Sequence, residues 1–352
     1  MKTLGAAGSL RRTALDQREL VMAVRWGIWG ATTIAQEWMI DAIRARGGEI
    51  VSLCGRDRER AAAYAARNGI PQYFTSSEDF LRSGIDAVYV GTINAFHHEH
   101  VLAAAAAGKH VLCEKPLALT LGAARDMIDA CTNASVVLAV NHHLRNAAPH
   151  AAVKDMLRQA CIGDIVSVAL THASYLPPHL QGWRINDTSA GSGVVLDLTV
   201  HDADLLHFLL DSEPESVFAV GGNSGLARSG IEDSVIGAIR FRNGVKASFF
   251  DAFTTPFAQH RLEIHGTKGT LIATENLQQT PGGRLVLRND DGAQDVPIRP
   301  TNLYEPNIGA FHDAVHGRGA LIATGADGLR SLAVALAAKR SIESGTMVPV
   351  TY

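Results

Sequence analysis

Cysteine is scarce: Cys54, Cys113, Cys131 and Cys161 are the only 4 in 352 residues, and no two stand in a CxxC pair. This excludes a disulfide framework and a zinc ribbon. Thiols set singly in apolar segments read as buried free groups in a reducing cytosol, so a cytoplasmic protein is expected. Long apolar runs are also missing. The Ala-rich stretch at 102–107 falls far short of the roughly 20 residues of a membrane helix. Charge of one sign is absent too: 32 Lys+Arg against 35 Asp+Glu leave a net charge of −3, which gives no basic footprint for a nucleic acid. No G-x-S-x-G elbow occurs, so a Ser–His–Asp hydrolase of that kind is not indicated. With 47% hydrophobic and 19% charged residues, the chain can bury a large core and is not a disordered polymer.

What the sequence does contain divides into three stretches. Residues 1–21 carry Arg11, Arg12, Asp16, Arg18 and Glu19 with little apolar periodicity. The paired arginines lack the apolar stretch of an export signal, so a disordered extension is expected, with Met22 as an alternative start. Over 22–142, short apolar runs at 24–29, 50–54, 87–90, 110–113 and 136–140 alternate with helical patterns at 34–46, 57–67, 96–107 and 121–131. Buried strands alternating with amphipathic helices predict a parallel sheet covered on both faces, a doubly wound Rossmann unit. Over 143–352 the rhythm changes. Helical patterns at 151–160 and 196–210 flank a strand at 165–172. Strand-like runs then follow at 217–220, 235–241, 245–250, 261–265 and 270–273, with turn signals at Asn243-Gly244 and Thr267-Lys268-Gly269. Such a succession predicts an α/β unit with an antiparallel sheet, closed by helices at 308–316 and 329–344.

The first strand runs into Gly30-Ala31-Thr32-Thr33-Ile34-Ala35, at the junction where dinucleotide-binding folds place G-x-G-x-x-G/A. Thr32 replaces the middle glycine, and an ordinary strand–helix turn is the competing reading. The second expected strand ends in Gly55-Arg56, with Arg58 and Arg60 behind it. No carboxylate stands at its tip to bind a ribose 2′-hydroxyl, and guanidinium groups suit a 2′-phosphate, so NADP(H) is expected over NAD(H). Lys115 leaves the strand at 110–113 toward the ligand side of the sheet. Asp197 and His201 stand at i, i+4 on one apolar helix, a spacing that predicts a carboxylate raising the pKa of an imidazole. Asn94, His97 and Asn141 are read as lining the cleft, His98 and His100 as solvated. Trp183-Arg184 either covers a ligand or anchors a loop. Asp197, His201, Asp204 and His207 do not share one helix face, so no metal is expected.

The Gly-rich turn, Glu114-Lys115-Pro116 at a strand end and Asp197-x-x-x-His201 together resemble the glucose–fructose oxidoreductase/inositol dehydrogenase (Gfo/Idh/MocA) family, over essentially all of 23–352. The segments 141–148, 175–184, 201–204, 251–255 and 302–305 resemble a branch that reduces keto-sugars. The resemblance implies an N-terminal Rossmann domain, a C-terminal α/β domain with an open, mostly antiparallel sheet, and hydride transfer on a small sugar with NADP(H). It implies Lys115, Asp197 and His201 as the catalytic residues. Around the cofactor it implies Ala31, Thr32, Thr33, Ile34, Gly55, Arg56, Arg60, Thr92, Asn94, His97, Glu114, Asn141, Trp183, Arg184 and Tyr304, beside Gly30. Gly55, Ile93 and Trp29 depart from the pattern, Gly55 by lacking a hydroxyl. The protein is expected as a monomer or as a homo-oligomer formed through the C-terminal sheet.

Overall fold

Apolar residues of the first strand face both ways, which requires cover on both faces of its sheet. In the computed structural model, which describes residues 23–352, β1 (Arg25–Trp29) is buried on every residue but the first. The extension expected over 1–21 and the alternative start at Met22 lie outside the described residues. A π-helical turn, Ala35–Met39, leads into α1 (Ile40–Ala45). There follow β2 (Glu49–Cys54), α2 (Arg58–Arg67), β3 (Gln72–Phe74), α3 (Ser77–Leu81), β4 (Ala87–Val90), α4 (His97–Ala106), β5 (His110–Cys113), α5 (Leu121–Asn133) and β6 (Leu138–Val140). The strands are all parallel in the order β3-β2-β1-β4-β5-β6. The order reverses between β1 and β4, which opens a crevice at their carboxyl ends. β3 and α3 are too short to show a period in the sequence. The Ser76 hydroxyl that caps α3 by accepting from Asp79 N was their one visible signal.

The second sheet has nine strands. After α6 (Ala148–Arg158) come β7 (Ile165–Ala173), the short α7 (Pro178–Gln181), α8 (Val200–Leu210), β8 (Pro214–Gly222), β9 (Ser234–Phe241), β10 (Lys246–Ala252), β11 (Arg261–Gly266), β12 (Thr270–Thr274), β13 (Arg284–Asn289) and β14 (Gly292–Val296). α9 (Glu305–Val315), α10 (Gly325–Ser344) and β15 (Val348–Pro349) end the chain. The spatial order is β14-β13-β12-β11-β7-β10-β9-β8-β15. Every pairing is antiparallel except that of β7 with β10 at the centre. The Asn243-Gly244 and Thr267-Lys268-Gly269 turns join β9 to β10 and β11 to β12. β13 and β14 lacked a readable alternation because they pair at an edge rich in charge, where Arg284 meets Asp295. One face of the sheet packs against α6, the turn before α8, and α10. The other leaves Phe218, Val220 and Ile236 exposed.

The last helices return to the first sheet. α9 packs on α1, and the Trp26 indole lies 4.8 Å from the Phe311 ring and donates to His312 Nε2 at 3.0 Å. Thr324, in a capping box with Asp327, bridges to Ala139 of β6. Arg145, just past β6, donates to both carboxylate oxygens of Asp204 on α8, at 2.8 and 2.5 Å, and lies 3.1 Å from Asp327. This buried network fixes α8 against the carboxyl edge of the first sheet. Cys54, Cys113 and Cys131 are buried and free; Cys161 is free and half-buried. Among the described residues, no helix is long and apolar enough to cross a membrane.

Candidate active site

The turn after β1 is built for close approach. Gly30 has φ +114°, and a Cβ there would stand 3.1 Å from Thr92 Cγ2 of the loop after β4, so only glycine fits. Arg60 donates to Ala31 O at 3.0 Å and Tyr64 Oη to Thr32 O at 2.9 Å, which clamps the loop to α2. Thr32 Oγ1 is buried with no partner in the protein. Gly30, Ala31, Thr32, Thr33, Ile34, Gly55, Arg56, Arg60 and Thr92 thus gather at the carboxyl ends of β1, β2 and β4. Arg56 is exposed there, its guanidinium 5.2 Å from the Phe96 ring centroid. Asp57, the nearest carboxylate, is committed to capping α2: it accepts from Arg60 N at 2.7 Å.

Four of the expected cofactor-lining side chains also bond within the protein. Asn94 donates to Gly191 O at 3.1 Å, and His97 stands between Pro116 O at 2.9 Å and Thr92 O at 3.1 Å. Glu114 accepts from Tyr89 Oη at 2.8 Å and from Asn141 Nδ2 at 2.6 Å. Asn141 in turn accepts from Asn307 at 2.9 Å. Burial pushes the Glu114 carboxyl up, and these donors only partly offset it. The four therefore form the floor that holds the strand ends in register. Tyr304 is fully buried, stacked between Trp38 at 5.4 Å and His143 at 4.8 Å.

Lys115 crosses from the first sheet to the second. Its Nζ donates to Asp197 Oδ1 at 2.7 Å and to Asp197 O at 2.8 Å. Arg184 Nε lies 3.3 Å from the other carboxylate oxygen, and its guanidinium sits 4.8 Å from the Trp183 ring centroid. Burial alone would push the Asp197 carboxyl up. Lys115 and Arg184 outweigh it and hold the group down at about 2.

His201 departs from the i, i+4 expectation. Asp197 lies in a π-helical turn, Val195–Thr199, that precedes α8. The wider turn shifts the register of side chains, and the carboxylate faces Lys115 and Arg184 in place of the imidazole. His201 Nδ1 is buried without a hydrogen-bond partner. Burial first, then the Lys115 charge, then His143, His142 and His172 hold its pKa well below the ordinary value, where the sequence predicted a rise. The ring centroids of His143, His142 and His172 lie 5.0, 6.2 and 6.3 Å away. None of these three was singled out by sequence reasoning; only their place at strand ends marked them. His100 is a second correction. It stacks on Trp29 at 4.2 Å with Nδ1 3.1 Å from Thr92 Oγ1, and burial brings it down to about 4, so it is packed and not solvated. His98 is half-buried, its Nε2 3.4 Å from Asp126. Of the residues weighed as metal ligands, Asp204 is taken by Arg145, and His207 lies 3.5 Å from Glu213.

The site therefore combines a fixed ammonium, a neutral imidazole and a cleft beside a loop shaped for a phosphate-bearing ligand. A family model described as an oxidoreductase family with an NAD-binding Rossmann fold matches residues 24–142, and one described as a GFO/IDH/MocA C-terminal domain matches residues 150–272. The chain is 51% identical over 322 residues to a 1,5-anhydro-D-fructose reductase of Ensifer adhaerens, covering 91% of this chain and 97% of the relative. It is 30% identical over 295 residues to a D-xylose 1-dehydrogenase (NADP(+)) of Haloferax volcanii, covering 82% and 88%. An aldose-aldose oxidoreductase from Caulobacter crescentus, solved with glycerol, superposes with a TM-score of 0.85 at 24% identity, over 93% of this chain and 99% of that one.

Proposed function

This chain belongs to the Gfo/Idh/MocA family of NAD(P)-binding oxidoreductases, and from that premise we propose that it reduces 1,5-anhydro-D-fructose to 1,5-anhydro-D-mannitol with NADPH. The observation that carries the reading is the Lys115–Asp197 pair, with its ammonium acting on His201, at the same carboxyl edge of the first sheet as the Gly30 loop. The 51% identity to a 1,5-anhydro-D-fructose reductase supports the substrate.

The residues present fit a nicotinamide dinucleotide. Gly30 leaves the space a Cβ would fill, and Thr32 Oγ1 is an unpaired buried hydroxyl in the same loop. Arg56 and Arg60, with Asp57 committed to its cap, suit a 2′-phosphate; Gly55 offers that phosphate no hydroxyl, so the two arginines carry its charge. When bound, the cofactor supplies the hydride. Lys115 has three N–H donors, two of them given to Asp197, and the third is free for the substrate oxygen on which negative charge builds. Asp197 anchors this ammonium; its role toward His201 is indirect. His201 hands its proton to the alkoxide oxygen as general acid. Only the minor protonated fraction acts, and in it the imidazolium releases its proton readily. The segment 22–142 serves the cofactor and 143–352 the sugar. Four free cysteines suit a reducing cytosol, and the exposed Phe218, Val220 and Ile236 of the second sheet suit a monomer or pairing with a second copy.

Incubation with NADPH and 1,5-anhydro-D-fructose, followed by carbon NMR, tests it. The mannitol epimer is expected; the glucitol epimer alone, or unchanged substrate, contradicts the proposal. The neutral state of His201 favours a second reading, in which the imidazole takes a proton from a sugar hydroxyl in the oxidative direction. Faster NADP⁺ reduction with the mannitol than NADPH oxidation with the ketone would select it.

A further inference from the structure

Behind His201, on the inner face of the second sheet, lies a group of polar side chains that the chemistry above does not use. Thr199 and Asp202 flank His201 on the same helical stretch, Asp251 is on β10, and His172 is on β7. Thr199, Asp202 and Asp251 are fully buried, and His172 is 6% exposed. The two strands are the parallel pair at the sheet's centre, where His172 and Asp251 stand in register. His172 Nδ1 lies 2.8 Å from Asp202 Oδ1, and Thr199 Oγ1 donates to Asp251 Oδ2 at 2.5 Å. The remaining oxygens, Asp202 Oδ2 and Asp251 Oδ1, are buried and have no protein donor.

The two carboxyl groups meet at His172: Asp202 bonds to it, Asp251 is its register partner on the neighbouring strand, and each keeps one buried oxygen without a donor. Two carboxylates cannot bond: both are acceptors, and adjacent like charges in the interior repel strongly. One proton between them removes both problems. We propose that Asp202 and Asp251 share a single proton, and that this acid pair seats the helical stretch carrying Asp197 and His201 on the second sheet. Both are positioning residues, acting through the helix. The titratable groups around the pair are His172 on β7, His260, whose ring meets His172 edge-on at 5.4 Å, His201 on α8, and Lys115 with Asp197 beyond His172. None supplies a compensating charge: Lys115 is held by Asp197, and burial brings His172 down to about 4 and keeps it neutral. Burial first, and then the neighbouring carboxyl, raises Asp251 well above the ordinary carboxylate range, and burial raises Asp202 as well.

The fold retains a proton that the unfolded chain releases above about pH 4, so the pair's contribution to stability falls as pH rises from about 4 through the range, raised above the ordinary carboxyl value, in which the folded pair gives that proton up. Asp251→Asn keeps an acceptor for Thr199 and gives Asp202 an N–H in place of the shared proton; Asp202→Asn does the same from the other side. Three measurements on the full chain test the proposal. The infrared carbonyl stretch of a protonated carboxylic acid is expected in the native protein near neutral pH and absent from either variant. The Tm of Asp251→Asn relative to native is expected to rise with pH across that window and then level. In the reductase assay, either variant should retain a larger share of its neutral-pH kcat at about pH 9 than the native enzyme does. No removable carboxylic-acid band, or a Tm offset equal at every pH, overturns the shared proton. A pH-dependent Tm offset without any change in the kcat–pH profile overturns the positioning role. The first two readouts need no substrate, so they stand or fall separately from the proposed reaction.

Discussion

At the scale of single residues, the site turns on one ammonium and one imidazole with opposite fates. Lys115 is paired with Asp197 at 2.7 Å, while burial and that same ammonium hold the His201 pKa well below its ordinary value. His201→Ala should lower kcat by about 10²–10⁴-fold, the range of general-acid removal, while the Kd for NADPH, read by fluorescence titration, stays within about threefold. Equal loss of both would show that His201 shapes the cofactor site instead. Because His201 sits below the ordinary histidine value of about 6.5, its protonated fraction at neutral pH is small and grows as pH falls. With NADPH saturating, kcat/KM for the ketone should therefore still be climbing as pH drops through about 6. A plateau above about 6.5 would contradict the assigned acid. Arg56 and Arg60 belong to this scale too. Loss of either guanidinium should weaken NADPH binding by about tenfold or more and leave NADH nearly unchanged, since a charged hydrogen bond contributes about 1.5–3 kcal/mol. Uniform weakening of both cofactors would assign these arginines to the loop clamp alone.

At the scale of elements, the strand and helix alternation of 24–142 and the turn dipeptides of the second sheet were legible because burial and backbone geometry impose them locally. Less was legible where one element answers to another. The π-helical turn at Val195–Thr199 moves Asp197 away from His201, and no i, i+4 count reveals it. His97, Glu114 and Asn141 were visible as polar residues at strand ends. Their partners, Thr92, Pro116, Tyr89 and Asn307, come from other elements, so their structural use was not. His142, His143, His172 and His201 converge from β6, β7 and α8, a contact only the tertiary fold produces. Arg145 makes the same point in energy. It joins the end of β6 to α8 and α10 through Asp204 and Asp327. Removing it leaves buried carboxylates without their cation, and Arg145→Ala should destabilise the fold by about 3–5 kcal/mol in urea unfolding. A loss below about 1 kcal/mol would mean that water replaces the guanidinium there.

For the whole molecule, the crevice exists because two sheets meet at one edge and the chain's last helices tie them. The order β3-β2-β1-β4-β5-β6 sets the carboxyl ends beside the inner face of the nine-stranded sheet. Lys115 and Arg145 then bridge to Asp197 and Asp204. Fold class and reaction class were therefore readable from strand rhythm and three short motifs, whereas the charge state of the acid and the proton balance behind it were not. The reaction proposed for this crevice is a keto-sugar reduction with NADPH. It is tested most directly by the initial rate of NADPH oxidation with 1,5-anhydro-D-fructose, measured beside NADH. Rapid turnover is predicted, with kcat/KM at least about tenfold higher for NADPH than for NADH. Equal or better use of NADH, or no turnover while NADPH binds, would contradict it.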